Sequence, residues 1–213
     1  MEKKEGSSLK KYTIIVIVFV VSIMVIGVSV SYSFFNISVE GSKDVPTSTA
    51  APFEVTTTLN DANAINAAQL ALIDGSTYED NAEKVSFSVT NSASSGAKAK
   101  YTIDLVEMSI SKNLASKYFK WALVVNPEGE KRQVFTGDFA DSTIGSEGNS
   151  DTALVEGLSK TLIGEEDALT LDVGATDNLV FYIWLENDDA IDQLYLTNGD
   201  FSGKLSMNAV PTR

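Results

Sequence analysis

Apolar and polar residues alternate with a period of two along most of the chain after residue 84, which is typical of strands that bury one face. Clusters of turn-forming residues, such as 91–96 and 126–129, separate the runs, and residues 137–151 form a polar, Gly- and Ser-rich stretch. The apolar positions are Val85, Phe87 and Val89; Tyr101, Ile103 and Leu105; Phe119, Trp121, Leu123 and Val125; Leu169, Leu171 and Val173; Leu179, Phe181, Ile183 and Leu185; and Phe201, Leu205, Met207 and Ala209. Six such runs without long helices between them predict an all-β fold, an antiparallel, jelly-roll-like β-sandwich.

The start of the chain has a different pattern, in which Lys10 and Lys11 precede a nearly uninterrupted apolar run over residues 13–30. Extended to Phe35, this segment has about 20 residues, enough to span the hydrocarbon core of a bilayer as a helix. Lysines before the run are retained on the cytoplasmic side, so the chain after Phe35 is expected outside the membrane. The sequence therefore predicts an N-terminal signal or transmembrane helix before the sandwich.

The same segment also fits a cleaved signal peptide, because small residues stand at Ser29, Ser31 and Ser33. Cleavage there would release a chain that begins at Tyr32 or Phe34. The cleaved signal and the permanent anchor both remain open, and both predict an extracellular or cell-surface protein with membrane contact through the N-terminal segment only.

These patterns divide the chain into residues 1–35 (signal peptide or transmembrane anchor), 36–58 (extended linker or donor-strand segment) and 59–213 (β-sandwich domain). The middle segment is rich in Ser, Thr and Ala and is interrupted by Pro46 and Pro52. Ala and Leu over residues 61–72 favour a helix there, although an extended conformation fits residues 69–73 as well.

Composition narrows the function classes. The chain contains no Cys and no His, so it has no disulfides, no thiolate or imidazole nucleophile system and no imidazole-ligated zinc. Residues 36–213 contain 12 basic and 27 acidic side chains, a formal net charge of −15. Such a surface does not suit nucleic acid, since binding depends on neutralising phosphates. No pair of carboxylates is marked as catalytic, and the sequence predicts a protein that is not an enzyme.

The lysine-led apolar segment ends in Ser-Phe-Phe-Asn at residues 33–36, and the strand motifs Val-Ser-Phe-Ser-Val-Thr-Asn (85–91) and Tyr-Thr-Ile-Asp-Leu (101–105) follow. A third strand motif, Phe-Tyr-Ile-Trp-Leu-Glu, occupies residues 181–186. Together these motifs resemble those of the TasA and camelysin family of bacterial secreted biofilm-matrix fibre proteins. The resemblance implies a jelly-roll domain and self-association into fibres, or association with other matrix proteins.

In the fibre-forming relatives, the segment that follows the signal docks as a strand into the next subunit, which is a case of β-augmentation. The resemblance therefore assigns assembly to Phe34, Phe35, Ile37 and Val39. Two alternatives remain: a membrane-anchored binding or adhesion module on a stalk formed by residues 36–58, and a camelysin-like peptidase, for which no catalytic constellation is present.

Acidic residues cluster after the last central strand, at Glu186, Asp188, Asp189 and Asp192. Calcium takes six to eight hard oxygen ligands, so this loop is a candidate calcium site; a solvated acidic turn explains the same residues. No other cofactor is indicated.

Tyr182 and Trp184 form a possible ligand face, because aromatic side chains on a sandwich surface stack on sugar rings or pack against partners. The alternative is a central strand that is buried on both faces, since residues 180–185 are continuously apolar.

Overall fold

The computed structural model describes residues 34–41, 54–59, 70 and 72–212. Their strands are β1 (Phe34–Gly41), β2 (Val55–Leu59), β3 (Leu72–Ile73), β4 (Glu83–Asn91), β5 (Lys98–Ser111), β6 (Phe119–Val125), β7 (Gln133–Asp138), β8 (Leu154–Ile163), β9 (Leu169–Leu171), β10 (Thr176–Glu186) and β11 (Asp200–Thr212). One α-helical turn, α1 (Tyr78–Asn81), and the 3₁₀ turns Gly75–Thr77, Lys112–Leu114 and Leu194–Leu196 complete the described elements.

The strands form two sheets. Sheet I has the order β1-β11-β5-β8, with β9 also paired to β5, and sheet II has the order β2-β4-β10-β6-β7, with β3 paired to β10. Within the described residues, the β1–β11 and β3–β10 pairs are parallel and the other pairs are antiparallel. The predicted all-β fold with antiparallel sheets is confirmed.

Alternate residues of both sheets meet in one hydrophobic core, as expected for two sheets that each bury one face. Its largest fully buried side chains are Tyr101, Phe87, Phe119, Phe181, Phe201, Ile103, Leu105, Ile110, Leu114 and Leu123. A second, smaller cluster contains Ala122, Val124, Tyr182 and Trp184. Because Phe181 and Ile183 belong to the main core, this second cluster lies on the outer face of sheet II.

The start of β1 lies at one end of the sandwich. Phe34 of β1 pairs with Asp200 of β11, and the Asp200 N–H donates to Ser111 Oγ at 2.7 Å. The start of β1, the start of β11 and the end of β5 therefore meet at this end, which we call the entry end. β1 finishes at the opposite end, where β2 begins, since Val55 pairs with Asn91 at the end of β4.

All six predicted runs lie within or next to strands, namely β4, β5, β6, β9, β10 and β11. The polar stretch 137–151 differs slightly, because Gly137 and Asp138 still belong to β7. The segment 36–58 differs more, since its two ends contribute strands to the two sheets. The sheets therefore include strands from Phe34 onward, ahead of the predicted boundary at residue 59.

Several predictions fall outside the described residues. Residues 1–33, with the apolar run and the serines at 29, 31 and 33, are among them, and so are residues 61–69 of the predicted helix. Leu72 and Ile73, for which an extended conformation was one alternative, form β3. Where the structure describes the chain, it contains no helix of the length and apolarity that membrane spanning requires.

Candidate functional site

The candidate assembly strand is part of sheet I. β1 pairs in parallel with β11 over eight consecutive positions without a register shift. The register sets Phe35 opposite Phe201, Ile37 opposite Gly203 and Val39 opposite Leu205. The three β11 residues are buried. The apolar positions predicted for assembly are thus the ones paired with the core-facing positions of β11.

On the side of β11 away from β1, the neighbouring strand β5 contains a bulge. Between Ser202 and Lys204 the β5–β11 register shifts, and β5 contains one residue more than β11 over that interval. Glu107, on the bulged stretch of β5, has a φ of 49°. A Cβ on Gly203 would lie 3.1 Å from Leu105 Cδ1, tighter than most such contacts. Glycine therefore suits the position of β11 that is opposite Ile37.

The two edges of sheet I differ in regularity. β8, at the edge away from β1, has three register shifts against β5, and Gly157 within it has a φ of 74°. Bulged, irregular edges resist the addition of another strand, whereas a regular edge exposes an uninterrupted row of N–H and C=O groups. The β1–β11 side is the regular side of this sheet.

Tyr182 and Trp184, the possible ligand face, are covered. Each is 5% exposed. The Tyr78 ring of α1 stacks on Trp184 with centroids 4.8 Å apart and contacts Tyr182 edge to face at 5.3 Å. The structure favours the alternative that this strand is buried on both sides, and it leaves little ring surface for a ligand.

Glu186 connects the segment that carries Tyr78 to sheet II by hydrogen bonds. Its carboxylate accepts hydrogen bonds from Trp184 Nε1 at 2.8 Å and from the Gly75 N–H at 3.1 Å. A Cβ on Gly75 would clash with this carboxylate, so a side chain there would displace the contact. A cavity of about 500 Å³ remains beside this contact, lined by Trp184, Tyr78 and Trp121 among others.

Sequence reasoning missed Tyr78, because nothing in its local pattern indicates which sheet face it covers.

In the acidic loop, the carboxylates proposed as calcium ligands each accept a local hydrogen bond. Asp188 accepts from Tyr118 Oη at 3.1 Å, Asp189 from Asn187 Nδ2 at 2.8 Å and Asp192 from the Leu194 N–H at 3.0 Å. Each of these three carboxylates therefore has its own hydrogen-bond partner, and so does the carboxylate of Glu186. Among the described residues, no group of three or more acidic side chains is placed to hold a metal ion. These local hydrogen bonds are compatible with the alternative of a solvated acidic turn, and calcium binding by this loop stays a prediction.

A second cavity, of about 770 Å³, lies at the end opposite the entry end, between the β6–β7 turn and the β9–β10 connection. Behind it, Tyr101 Oη of sheet I donates to Asp177 Oδ2 of sheet II at 2.8 Å, and Asn126 Nδ2 donates to Asp177 Oδ1 at 2.7 Å. Burial, reinforced by the Asp177 carboxylate, raises the pKa of Tyr101 far above its usual range. This network joins the two sheets and contains no free nucleophile or base.

No protein-family model and no curated protein matches this chain. Its function is therefore inferred from the residues and their geometry.

Proposed function

We propose that the protein is an exported structural subunit of a bacterial surface or biofilm matrix, resembling TasA and camelysin, that assembles by strand addition. The apolar segment that precedes β1 acts as signal or transmembrane helix, and the sandwich of jelly-roll type works outside the cell. The observation that carries the proposal is the parallel, unshifted pairing of β1 with the regular edge of β11.

A strand in this position is exchangeable in principle. β1 is the outermost strand of sheet I, so its sheet pairing uses one partner only. If β1 of one copy pairs with β11 of the next, the same main-chain hydrogen bonds form between molecules. Because donor and acceptor are different surfaces, such exchange runs head to tail, and it extends into an open fibre where the rotation between neighbours does not close a ring.

The connection to the rest of the sandwich allows this exchange. Thirteen residues separate Gly41 from Val55. At roughly 3.4 Å per residue, a chain of that length reaches about 45 Å when fully extended. A connection of that reach supports pairing of β1 with its own β11 or, in the proposed assembly, with the β11 of a neighbour.

Signal cleavage would place the exchangeable strand at the terminus. A mature chain that begins at Tyr32 or Phe34 has β1 within two residues of its amino terminus. A terminal strand leaves its sheet without threading a loop, whereas an anchored strand remains tethered at both ends. Cleavage after Ser31 or Ser33 is therefore the step expected to license assembly.

The test uses charge placed on either face of β1 in the cleaved chain. We expect Phe35→Asp and Ile37→Asp to abolish fibres seen by electron microscopy and light scattering, because each carboxylate would stand opposite a buried position of β11, Phe201 or Gly203. Asn36→Asp and Ser38→Asp are matched controls, since they pair with Ser202 and Lys204, which are only partly buried. Fibres that survive both core-facing changes contradict the proposal.

A further inference from the structure

Exposed apolar side chains concentrate at the entry end. Leu194 is 71% exposed, Leu154 is 47% exposed, Leu72 is 45% exposed and Ile191 is 41% exposed. Leu154 pairs with Ser111 at the end of β5, and Leu72 pairs with Leu185 near the end of β10. Ile191 and Leu194 lie in the loop between β10 and β11. Four of the seven large apolar side chains that are exposed in the described residues thus share this end.

Hydrogen bonds hold the loop that carries Leu194 to the rest of the sandwich. Asn113 Nδ2 donates to the carbonyls of Tyr195 and Thr197, at 2.8 and 3.0 Å. Gln193 donates to the Glu186 carbonyl at 2.8 Å and accepts from the Asp188 N–H at 2.9 Å. Because these bonds hold the loop to the sandwich, the exposure of Leu194 is built into the fold.

The sequence that precedes β1 indicates what covers these side chains. The apolar run over residues 13–30 leads into β1 after only three further residues, and β1 begins at the entry end. If that run lies in a bilayer, the chain emerges from the membrane at the end that carries the exposed apolar side chains.

We infer that Leu194, Ile191 and Leu154 rest in the interfacial layer of the bilayer while the apolar run is inserted. This inference depends on the proposed export through residues 1–35. Apolar side chains gain by leaving water for that layer, as in interfacial anchors of peripheral proteins. The contact orients the sandwich on the membrane before release or, in an uncleaved chain, permanently.

Apolar burial, and not charge attraction, drives this contact. Asp188, Asp189 and Asp192 flank the apolar residues of the loop. The nearby cations Lys112 and Lys117 form ion pairs with Asp151 and Glu147, at 2.9 and 3.2 Å. An end with this charge gains nothing from anionic headgroups, so vesicles of zwitterionic phosphatidylcholine are the appropriate probe.

The absence of cysteine allows a site-specific test on the full chain. Leu194→Cys, labelled with an environment-sensitive fluorophore, is reconstituted into phosphatidylcholine vesicles with or without brominated acyl chains. We expect a blue-shifted emission and at least twofold quenching by the brominated lipid. Val210→Cys is the matched control: it is 46% exposed and pairs with Lys100, at the opposite end. It should show neither effect.

The outcomes separate the inference from its premise. Failure of the full chain to float with vesicles overturns both the membrane insertion and the inference. Flotation with equal, weak quenching at positions 194 and 210 overturns the inference alone and leaves fibre assembly untouched. Energy transfer between labels at position 194 without lipid quenching also overturns it, because a second copy then covers the patch.

Discussion

At the residue scale, Tyr101 makes a buried polar contact that joins the two sheets. It is the largest fully buried residue, and its hydroxyl reaches across the sandwich to Asp177. A buried hydroxyl without a partner lowers the stability of the fold by about 1–3 kcal/mol. Because a hydrogen bond is directional and apolar packing is not, this bond fixes the position of β5 relative to β10. The alternation of residues 101–105 predicts the burial of Tyr101 but not its distant acceptor.

The raised pKa of Tyr101 predicts a stability change in alkali. In the folded state the phenol stays protonated, whereas in the unfolded chain it loses its proton above its ordinary pKa of 10.0. The unfolded state therefore binds fewer protons above pH 10, and rising pH stabilises it relative to the native state. Below the unfolded pKa, the full contribution of the tyrosine is present.

The comparison with Tyr101→Phe isolates this effect. We expect the wild type to be more stable than the variant by about 1 kcal/mol in urea unfolding between pH 6 and 9, since one hydrogen bond is lost. Above pH 10 this difference should fall, approaching about 1.4 kcal/mol per pH unit. A difference that stays constant up to pH 11.5 would show that Tyr101 ionises equally in both states.

At the element scale, the segment from β3 to α1 covers the outer face of sheet II. Tyr78 stacks on Trp184, and Glu186 holds both the backbone of Gly75 and the Trp184 indole. An ion pair between Arg132 and Glu79 joins α1 to the β6–β7 loop. The aromatic stack buries apolar surface, while the ion pair is partly exposed and contributes little.

These contributions can be compared directly. We expect Tyr78→Ala to lower the free energy of unfolding by about 2–4 kcal/mol and to make Trp184 accessible to acrylamide quenching, because the covering ring is lost. Glu79→Ala, one residue away on the same helical turn, should change stability by less than about 1 kcal/mol and leave the quenching unchanged. Equal changes in stability and in quenching for the two variants would mean that the stacking of Tyr78 on Trp184 does not hold α1 on sheet II.

The sequence predicts strands to the extent that each strand alternates. β4, β5, β6, β10 and β11 bury one face in the main core, so a period of two marks them. β8 escapes this pattern because its residues 154–161 are largely exposed and Gly157 interrupts its register with a positive φ. β7 is a short edge strand with one half-buried apolar residue, Phe135, so its pattern is equally weak.

The contacts of the candidate site are harder to predict from the sequence than the strands themselves. The alternation of Phe35, Ile37 and Val39 predicts a strand with one apolar face, and β1 is a strand. Its partner, β11, lies more than 160 residues away along the chain, and no local pattern specifies a parallel register over such a distance. The same holds for Tyr182 and Trp184, whose cover comes from Tyr78, about 100 residues earlier.

At the scale of the whole molecule, β1 is the exchangeable part of sheet I under the proposed function. Two edges with unequal regularity, a connection of thirteen residues and a net charge of −15 over residues 36–213 support exchange at one edge over general aggregation. The apolar entry end adds a membrane contact for the molecule before release. Export, orientation and assembly would then all begin at the same end of the sandwich.

Disulfide trapping in the cysteine-free chain is the decisive test of strand exchange. Asn36 and Ser202 are register partners in β1 and β11, and adjacent strands place such Cα atoms about 5 Å apart, within the range of a disulfide. Asn36→Cys and Ser202→Cys are prepared as two single variants of the cleaved chain, with tags of different mass, then mixed, assembled and oxidised. Ser109→Cys, which pairs with Ser202 from the next strand, replaces Ser202→Cys in the control mixture.

Strand exchange predicts a mixed disulfide between the 36 and 202 variants, because β1 of one copy then lies on β11 of another, and none between the 36 and 109 variants. The control is the double variant Asn36→Cys/Ser202→Cys, which should close the same bond within one molecule. If the double variant closes it and the assembled mixture of single variants does not, strand exchange is contradicted. β1 is then a permanent part of its own sheet.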